Sequence, residues 1–281
     1  MIIRPMEPAD LDFAASCTAA EGWATETRVE LEGLFAHDPR GCLLAEVEGR
    51  RAGICVATGY DAFAFVGELI VAKELRGRGV GRALLEHAIA YLEGRGLRSV
   101  CLDGVPAAVP LYERLGFRRV CRSLRFSGRV RGGLRPQVRR LRAEDLPAVQ
   151  ALDRQAFGAD RAFFLRRRLE VYPELGWALE AGDGIAGFIL GRRGRGVVAA
   201  GPWVVRPEVA RPADLLESLT AAAGEIDLSV GVLESNAAAV ATLRALGLAE
   251  RVEPPWRMVR GPAVAPAGQA LAYAIGSAAK G

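Results

Sequence analysis

The chain has 281 residues, 51% hydrophobic and 25% charged, an ordinary balance that allows one large domain or two small ones. Its 33 glycines and 15 prolines fall short of a collagenous or low-complexity signature, and no run approaches the ~20 apolar residues of a membrane span. The formal charge of +4 is arginine-rich, because Lys73 and Lys280 are the chain's two lysines.

Arg4, Glu7, Asp10 and Asp12 stand where a signal peptide needs an apolar stretch, so a cytoplasmic protein without a membrane partner is expected. Cys17, Cys42, Cys55, Cys101 and Cys121 lie in the first half without a CxxC pair, which reads as reduced core thiols. His37 and His87 are too few for a histidine-rich metal site, and no metal is expected.

In chain order, the patterning predicts a short strand at Ile2–Arg4, then helices near Pro8–Ala20 and Thr27–Ala36. Strands follow near Cys42–Val47, Ala52–Thr58 and Ala62–Val71. After a glycine-rich turn, Val80, Leu84, Ala88 and Tyr91 recur at helical spacing. A strand at Ser99–Leu102, a helix at Ala107–Leu115 and a strand at Phe117–Phe126 complete the first half. The second half repeats the order, with a hairpin signal at Gly182–Gly184. Helices between some but not all strands imply a mixed sheet, α/β (α+β).

The repeat is visible in the residues. Arg4, Asp10 and Leu11 match Arg139, Asp145 and Leu146, VAKEL at Val71 faces VRPEV at Val205, and LYERLGF at Leu111 faces TLRALGL at Thr242. Two copies of one domain are therefore expected: 1–128, a linker at 129–135, a second copy at 136–260 and a tail at 261–281. Ten arginines and no acid lie between Arg118 and Arg142, so the positive charge belongs to the junction and not to an acidic-substrate site. The cluster lacks the interleaved aromatics of a nucleic-acid surface, and no nucleic-acid partner is expected.

Leu75-Arg76-Gly77-Arg78-Gly79-Val80-Gly81-Arg82 joins a buried strand to an amphipathic helix. Such a turn offers backbone N–H groups and the positive helix end to a phosphate. A Walker A loop requires a Lys that is missing here, and the dinucleotide fingerprint fails at its third glycine, which is Arg82, although Asp103 stands where a ribose-binding acid would.

The pattern V-x-x-x-x-R-G-x-G-x-G, from Val71 through Gly81, resembles motif A of the GNAT superfamily of acyl-CoA-dependent N-acyltransferases. Leu111-Tyr112-Glu113-Arg114-Leu115-Gly116-Phe117 resembles that family's LYxxxGF motif, and Gly22-Trp23 with LDGVPAAVPLYERLGF resembles a bacterial two-domain branch. The resemblance implies two tandem domains, each a mixed, mostly antiparallel twisted sheet flanked by helices. It implies acetyl-CoA as co-substrate, with pantetheine along Leu69, Ile70 and Val71. The pyrophosphate would lie on the amides of Gly77, Arg78, Gly79, Val80, Gly81 and Arg82, beside Arg76. Tyr112 would protonate the leaving thiolate as a primary amine, from a small molecule or peptide, attacks in a ternary complex. The alternative for Tyr112 is a core aromatic on a helix face.

Departures from the family pattern are legible. Val105 stands where many relatives carry Asn, so one pantetheine contact is missing. No general base is identifiable: Glu68 and Glu21 lie on the substrate side with Trp23, and Glu26 is on the same loop. His87 reads as surface or packing. In the second copy Ala210-Arg211-Pro212-Ala213-Asp214-Leu215 replaces the glycine turn and Leu243 replaces the tyrosine, while Asn236 keeps the Asn position. A non-catalytic second domain with a structural, dimerising or substrate-shaping role is expected. A homodimer stays open, as does the alternative of a non-catalytic acyl-CoA or nucleotide sensor.

Overall fold

A computed structural model describes residues 1–182, 184–262 and 268–281. The first half runs β1 (Ile2–Pro5), α1 (Leu11–Ala20), α2 (Arg28–His37), β2 (Cys42–Val47), β3 (Arg50–Gly59), β4 (Ala64–Val71), α3 (Val80–Gly94), β5 (Val100–Gly104), α4 (Val109–Arg114) and β6 (Arg118–Gly128). The second repeats it with β7 (Val138–Arg140), α5 (Leu146–Phe157), α6 (Ala162–Val171), β8 (Gly176–Ala181), β9 (Gly184–Arg193), β10 (Val197–Val205), α7 (Ala213–Ala223), β11 (Asp227–Leu233), α8 (Ala237–Ala245) and β12 (Ala249–Glu250). Two further strands follow, β13 (Trp256–Arg260) and β14 (Ala272–Ala274). The hairpin signal at Gly182–Gly184 falls between β8 and β9, although residue 183 lies outside the described residues.

The repeated Arg and Asp do the same work in both halves. Asp10 accepts Arg4 Nη1 at 2.7 Å and the Glu7 amide at 2.9 Å; Asp145 accepts Arg139 Nη1 at 2.7 Å and the Arg142 amide at 2.8 Å. A buried carboxylate thus satisfies a backbone N–H at the start of the first helical segment and ties it to the first strand. Burial works against the charge on Asp10, but Arg4, Arg51 and the Glu7 amide outweigh it and hold the pKa at about 2.

Strand order across the molecule is β1-β2-β3-β4-β5-β13-β6-β11-β10-β9-β8-β7, so both halves share one sheet. Pairing is antiparallel apart from β4 with β5 and β10 with β11. The halves exchange strands. β13 follows the second half in sequence but lies between β5 and β6 of the first, with Met258 opposite both Leu102 and Arg119. The end of β6 enters the second half, where Ser123 to Gly128 pair with β11 and Phe126 and Ser127 with β12. Trp256, read from sequence as a residue of the second domain, is therefore in the first half's sheet, under the Arg122 guanidinium at 3.8 Å. Local periodicity fixes that a segment is a strand, but its partner is chosen by tertiary packing.

Asp103 fastens the crossover. Its fully buried carboxylate accepts Ser123 Oγ at 2.7 Å, Arg125 Nη2 at 2.7 Å and Arg257 Nε at 2.6 Å. Burial raises its pKa, yet Arg257 and Arg125 prevail and the group is held below the ordinary carboxylate range. Its oxygens are committed to the fold, in keeping with the failure of the dinucleotide fingerprint in the sequence.

Each half has a core on either face of its sheet. In the first, Val66, Leu84, Leu85 and Tyr112 pack under α3 and α4, while Leu44, Ile54, Phe65 and Ile70 pack under α1 and α2. Ala159 and Phe164 of the second half join that second cluster, so α6 lies over the α1–α2 face. All five cysteines are buried and unpaired, and no described helix is long and apolar enough to cross a membrane.

Candidate active site

β4 and β5 stay paired only at Ala64–Val100 and Phe65–Cys101, then separate. β4 carries a bulge at the separation: its register on β3 jumps from Val56–Gly67 to Ile54–Ile70, and Glu68 takes φ +51°. A non-glycine residue in the left-handed region stores strain that surrounding structure must hold. Beyond the bulge, Ile70 and Val71 pair with β3 on one edge, while the edge toward β5 has no strand partner among the described residues. An extended thread with amide groups fits such an edge.

The glycine loop ends on the N-terminus of α3. Gly77 (φ +77°) and Gly79 (φ +81°) take conformations that L side chains resist, and Gly79 is the helix N-cap. No side chain caps that end, so the first-turn amides of a 15-residue helix are free for an anion. A Cβ on Gly81 would lie 3.4 Å from Val71 Cγ2, bringing helix and strand close together.

The loop arginines are paired with acids. Arg76 donates to the Val71 carbonyl at 3.0 Å and to Glu21, Arg78 to Glu48 at 2.9 Å, and Arg82 to Glu86 at 2.8 Å. Exposed pairs of this kind are worth about 0–1 kcal/mol, so a phosphate can compete for Arg78 and Arg82. Arg76 is more committed, because its pair with Glu21 ties the glycine loop to the α1–α2 loop.

Tyr112 is buried on the α3 side of the sheet, its ring edge-on to Phe117 at 6.1 Å between centroids. It sits where a Cβ on Gly104 would fall 2.8 Å from the ring, so that glycine makes its seat. Burial, with a smaller contribution from Cys55, pushes the hydroxyl's pKa above its usual value. The shift favours the protonated hydroxyl, which has a proton to donate. Val105 is exposed, and His87 is exposed on α3.

The opposite face of the bulge holds a buried charge cluster that sequence reasoning largely missed. Glu26 accepts Arg192 Nη2 at 2.5 Å, and Glu30 accepts Lys280 Nζ at 2.9 Å and Arg168 Nη2 at 3.1 Å. Burial disfavours the charge on Glu30, but Lys280, Arg168 and Arg192 overcome it and hold the group far below its ordinary range. Neither oxygen of Glu68 meets a donor among the described residues, nor does Oε2 of Glu26. Burial and the Glu26 charge push the Glu68 pKa well above the ordinary value, with Lys280 and Arg192 only partly offsetting them. Glu68 is thereby biased toward its neutral form. Trp23 is half-buried nearby, and its carbonyl accepts Arg195 Nη2 at 2.6 Å. Of the substrate-side residues read from sequence, Glu68 is thus at the bulge, Glu21 on the α1–α2 loop paired with Arg76 of the glycine loop, and Trp23 against the second half. The signals for the rest were faint: a glycine inside β4 at Gly67, and one of two lysines at Lys280.

The corresponding place in the second half is filled. β10 and β11 pair from Val197–Asp227 to Ala200–Val230, then part. β14 lies in the gap, antiparallel to β10 at Trp203–Ala274, and the Ile275 amide donates to the Gly231 carbonyl of β11 at 2.9 Å. Asn236 donates to the carbonyls of Ala270 and Ala272, each at 3.0 Å. At the head of α7, Pro212 is the N-cap and buried Asp214 accepts Arg211 at 3.0 Å and Gln137 at 3.1 Å. Leu243, in the tyrosine's place, is fully buried.

A separated strand pair with a bulge and a glycine-capped helix are the marks of an acyltransferase fold, and comparison with known proteins agrees. The model of the acetyltransferase (GNAT) family matches residues 9–117, and that of the acetyltransferase (GNAT) domain matches 149–273; the chain belongs to the GNAT family, with two GNAT domains. Among curated relatives, holothin acyltransferase of Pseudoalteromonas sp. (strain SANK 73390) is 27% identical, over 64% of this chain and 63% of its own. Mycothiol acetyltransferase of Arthrobacter sp. (strain FB24) is 39% identical over 33% of each chain. The matches therefore span under two thirds of those relatives. Among solved structures, a tandem GNAT protein from the clavulanic acid biosynthesis pathway superposes with TM-score 0.62 at 18% identity, over 94% of this chain and 99% of the other. A GCN5-related N-acetyltransferase from Sphaerobacter thermophilus gives TM-score 0.64 at 20% identity, over 94% and 96%.

Proposed function

We propose that the first half transfers an acetyl group from acetyl-CoA to a primary amine, and that the second half binds no coenzyme. The observation that carries this reading is the contrast between the two gaps. In the first half an unpaired β4 edge runs beside an uncapped helix end with two left-handed glycines. In the second, β14 lies along the equivalent edge and Asp214 is buried at the helix end.

The residues present fit the coenzyme. Leu69, Ile70 and Val71 would hold the pantetheine amides, and the amides from Gly77 to Arg82 the pyrophosphate, with Arg78 and Arg82 released from surface pairs. Bound there, the coenzyme supplies an activated acetyl group and a thiol leaving group. Tyr112 holds a proton on the α3 face of the sheet. The Glu26–Glu68 pair lies on the opposite face, where an amine's proton can be received once Glu68 is ionised. The names of the relatives, which include a serotonin and a glucosamine 6-phosphate N-acetyltransferase, agree with an amine acceptor. Release of free thiol from acetyl-CoA over a panel of amines tests the activity. Coenzyme binding without turnover on any amine would instead favour a sensor.

A further inference from the structure

A cavity of about 70 Å³ lies at the seam between the halves, on the face of the sheet opposite α3. The first half contributes Phe65 and Cys101, the last residues paired between β4 and β5 before those strands part. The second contributes Phe157 of α5 and Ile275, which follows β14. Val120, an exposed residue, also lines the cavity, so solvent reaches it. The charged side chains on its wall are Arg161 and Arg257, and no acid is among the described residues that line it.

The two arginines differ. Arg161 is matched by Asp153, which accepts its Nε and Nη2 at 2.7 Å each, and its Nη1 donates to the Gly281 carbonyl at 2.7 Å. Arg257 shares the single carboxylate of Asp103 with Arg125, so two guanidinium charges face one negative charge. The Arg257 side chain is only 13% exposed, and its Nη2 is buried without an acceptor among the described residues. A buried donor left without a partner is costly. The guanidinium is also held in place: its Nε donates to Asp103 at 2.6 Å, and its central carbon stands 4.9 Å from the centre of the Phe65 ring. A fixed guanidinium with surplus positive charge beside an apolar wall suits a carboxylate.

We propose that Arg257 holds the carboxylate of the acceptor while the cavity takes its apolar side group, so that the acceptor is a small apolar amino acid seated between the halves. This rests on the first half being the transferase.

Position and size both support it. Arg257 of β13 is opposite Asp103 of β5, two residues past Cys101, and neighbouring strands are about 4.8 Å apart. A carboxylate there leaves the amine on the adjacent carbon within reach of the gap between β4 and β5. The cavity volume is little more than twice the ~30 Å³ share of one liquid water, room for a short aliphatic group and not for a peptide segment. The second half thus takes part in the choice of acceptor, through Phe157 and Ile275, without binding coenzyme.

The test uses the full chain and L-leucine as probe, with L-leucinamide lacking the carboxylate charge and acetate lacking the apolar group. In calorimetry L-leucine should bind at least about tenfold more tightly than either, and Arg257→Lys should lose that preference. With isoleucine methyl groups labelled in ¹³C, the Ile275 signal of the unmodified chain should move as L-leucine is added while that of Ile89, on α3, stays. The ligand series and the methyl signal need no substitution and decide the matter if Arg257→Lys fails to fold. No binding of L-leucine, equal affinity for L-leucinamide or acetate, an unchanged preference in Arg257→Lys, or an unmoved Ile275 signal would overturn the proposal. So would thiol release from acetyl-CoA that is as fast with L-leucinamide as with L-leucine. Acetyl-CoA binding on the same samples keeps the two readings apart: its absence would remove the transferase and leave the amino-acid seat standing.

Discussion

At Glu68 the backbone is left-handed, the side chain is buried without a donor, and the strand changes register. Its raised pKa has a consequence for stability. A carboxyl group whose pKa is higher in the folded chain stabilises the fold while protonated, and that contribution is lost as pH rises through the folded value. Glu68→Gln should therefore raise the melting temperature increasingly from pH 5 to pH 9; a constant offset across that range would contradict the raised pKa of Glu68. Asp10 behaves in the opposite sense. Held at about 2, it contributes roughly 2 kcal/mol above pH 4, lost as pH falls toward 2, so Asp10→Asn should flatten the acid limb of the melting curve. Tyr112 makes the third prediction. As a proton donor it should contribute about 10²–10⁴-fold to turnover, lost in Tyr112→Phe with coenzyme affinity unchanged. Equal kcat in the two proteins would return it to the core.

The same kind of gap between strands serves two ends in the two halves. In the first it stays open beside the glycine loop; in the second β14 closes it, and Asn236, at the position where related domains carry a pantetheine contact, binds the carbonyls of the tail. The exchanged strands β6 and β13 depend on Asp103 between Arg125 and Arg257. Removing one member of a buried charge cluster costs about 3–5 kcal/mol, because the others are left without compensation. Asp103→Ala should lower stability by that amount in denaturant titration, while a surface control such as Glu48→Ala stays within about 0.5 kcal/mol.

Taken whole, the molecule is two copies of one fold joined through one sheet. With β13 in the first half and the end of β6 in the second, neither half has a complete sheet of its own, and thermal unfolding should be a single cooperative transition. The repeat and the glycine loop were legible in the sequence because chemistry restricts them: left-handed turns call for glycine, and a buried Arg–Asp cap needs both partners at fixed spacing. The exchange was not legible, since Trp256–Arg260 would read as a strand beside any neighbour. Nor was the filled groove, since the neutral composition around Leu271-Ala272-Tyr273 suits a free end as well as a strand. Lys280 stood out only as a rare residue, and its meaning comes from Glu30, distant in sequence and on another element. The difference between the halves is the center of this account, and titration of acetyl-CoA into the intact chain by calorimetry tests it most directly. One site per chain, lost when Gly79→Val closes the α3 end, is the predicted result; two sites, or one that survives Gly79→Val, would contradict it.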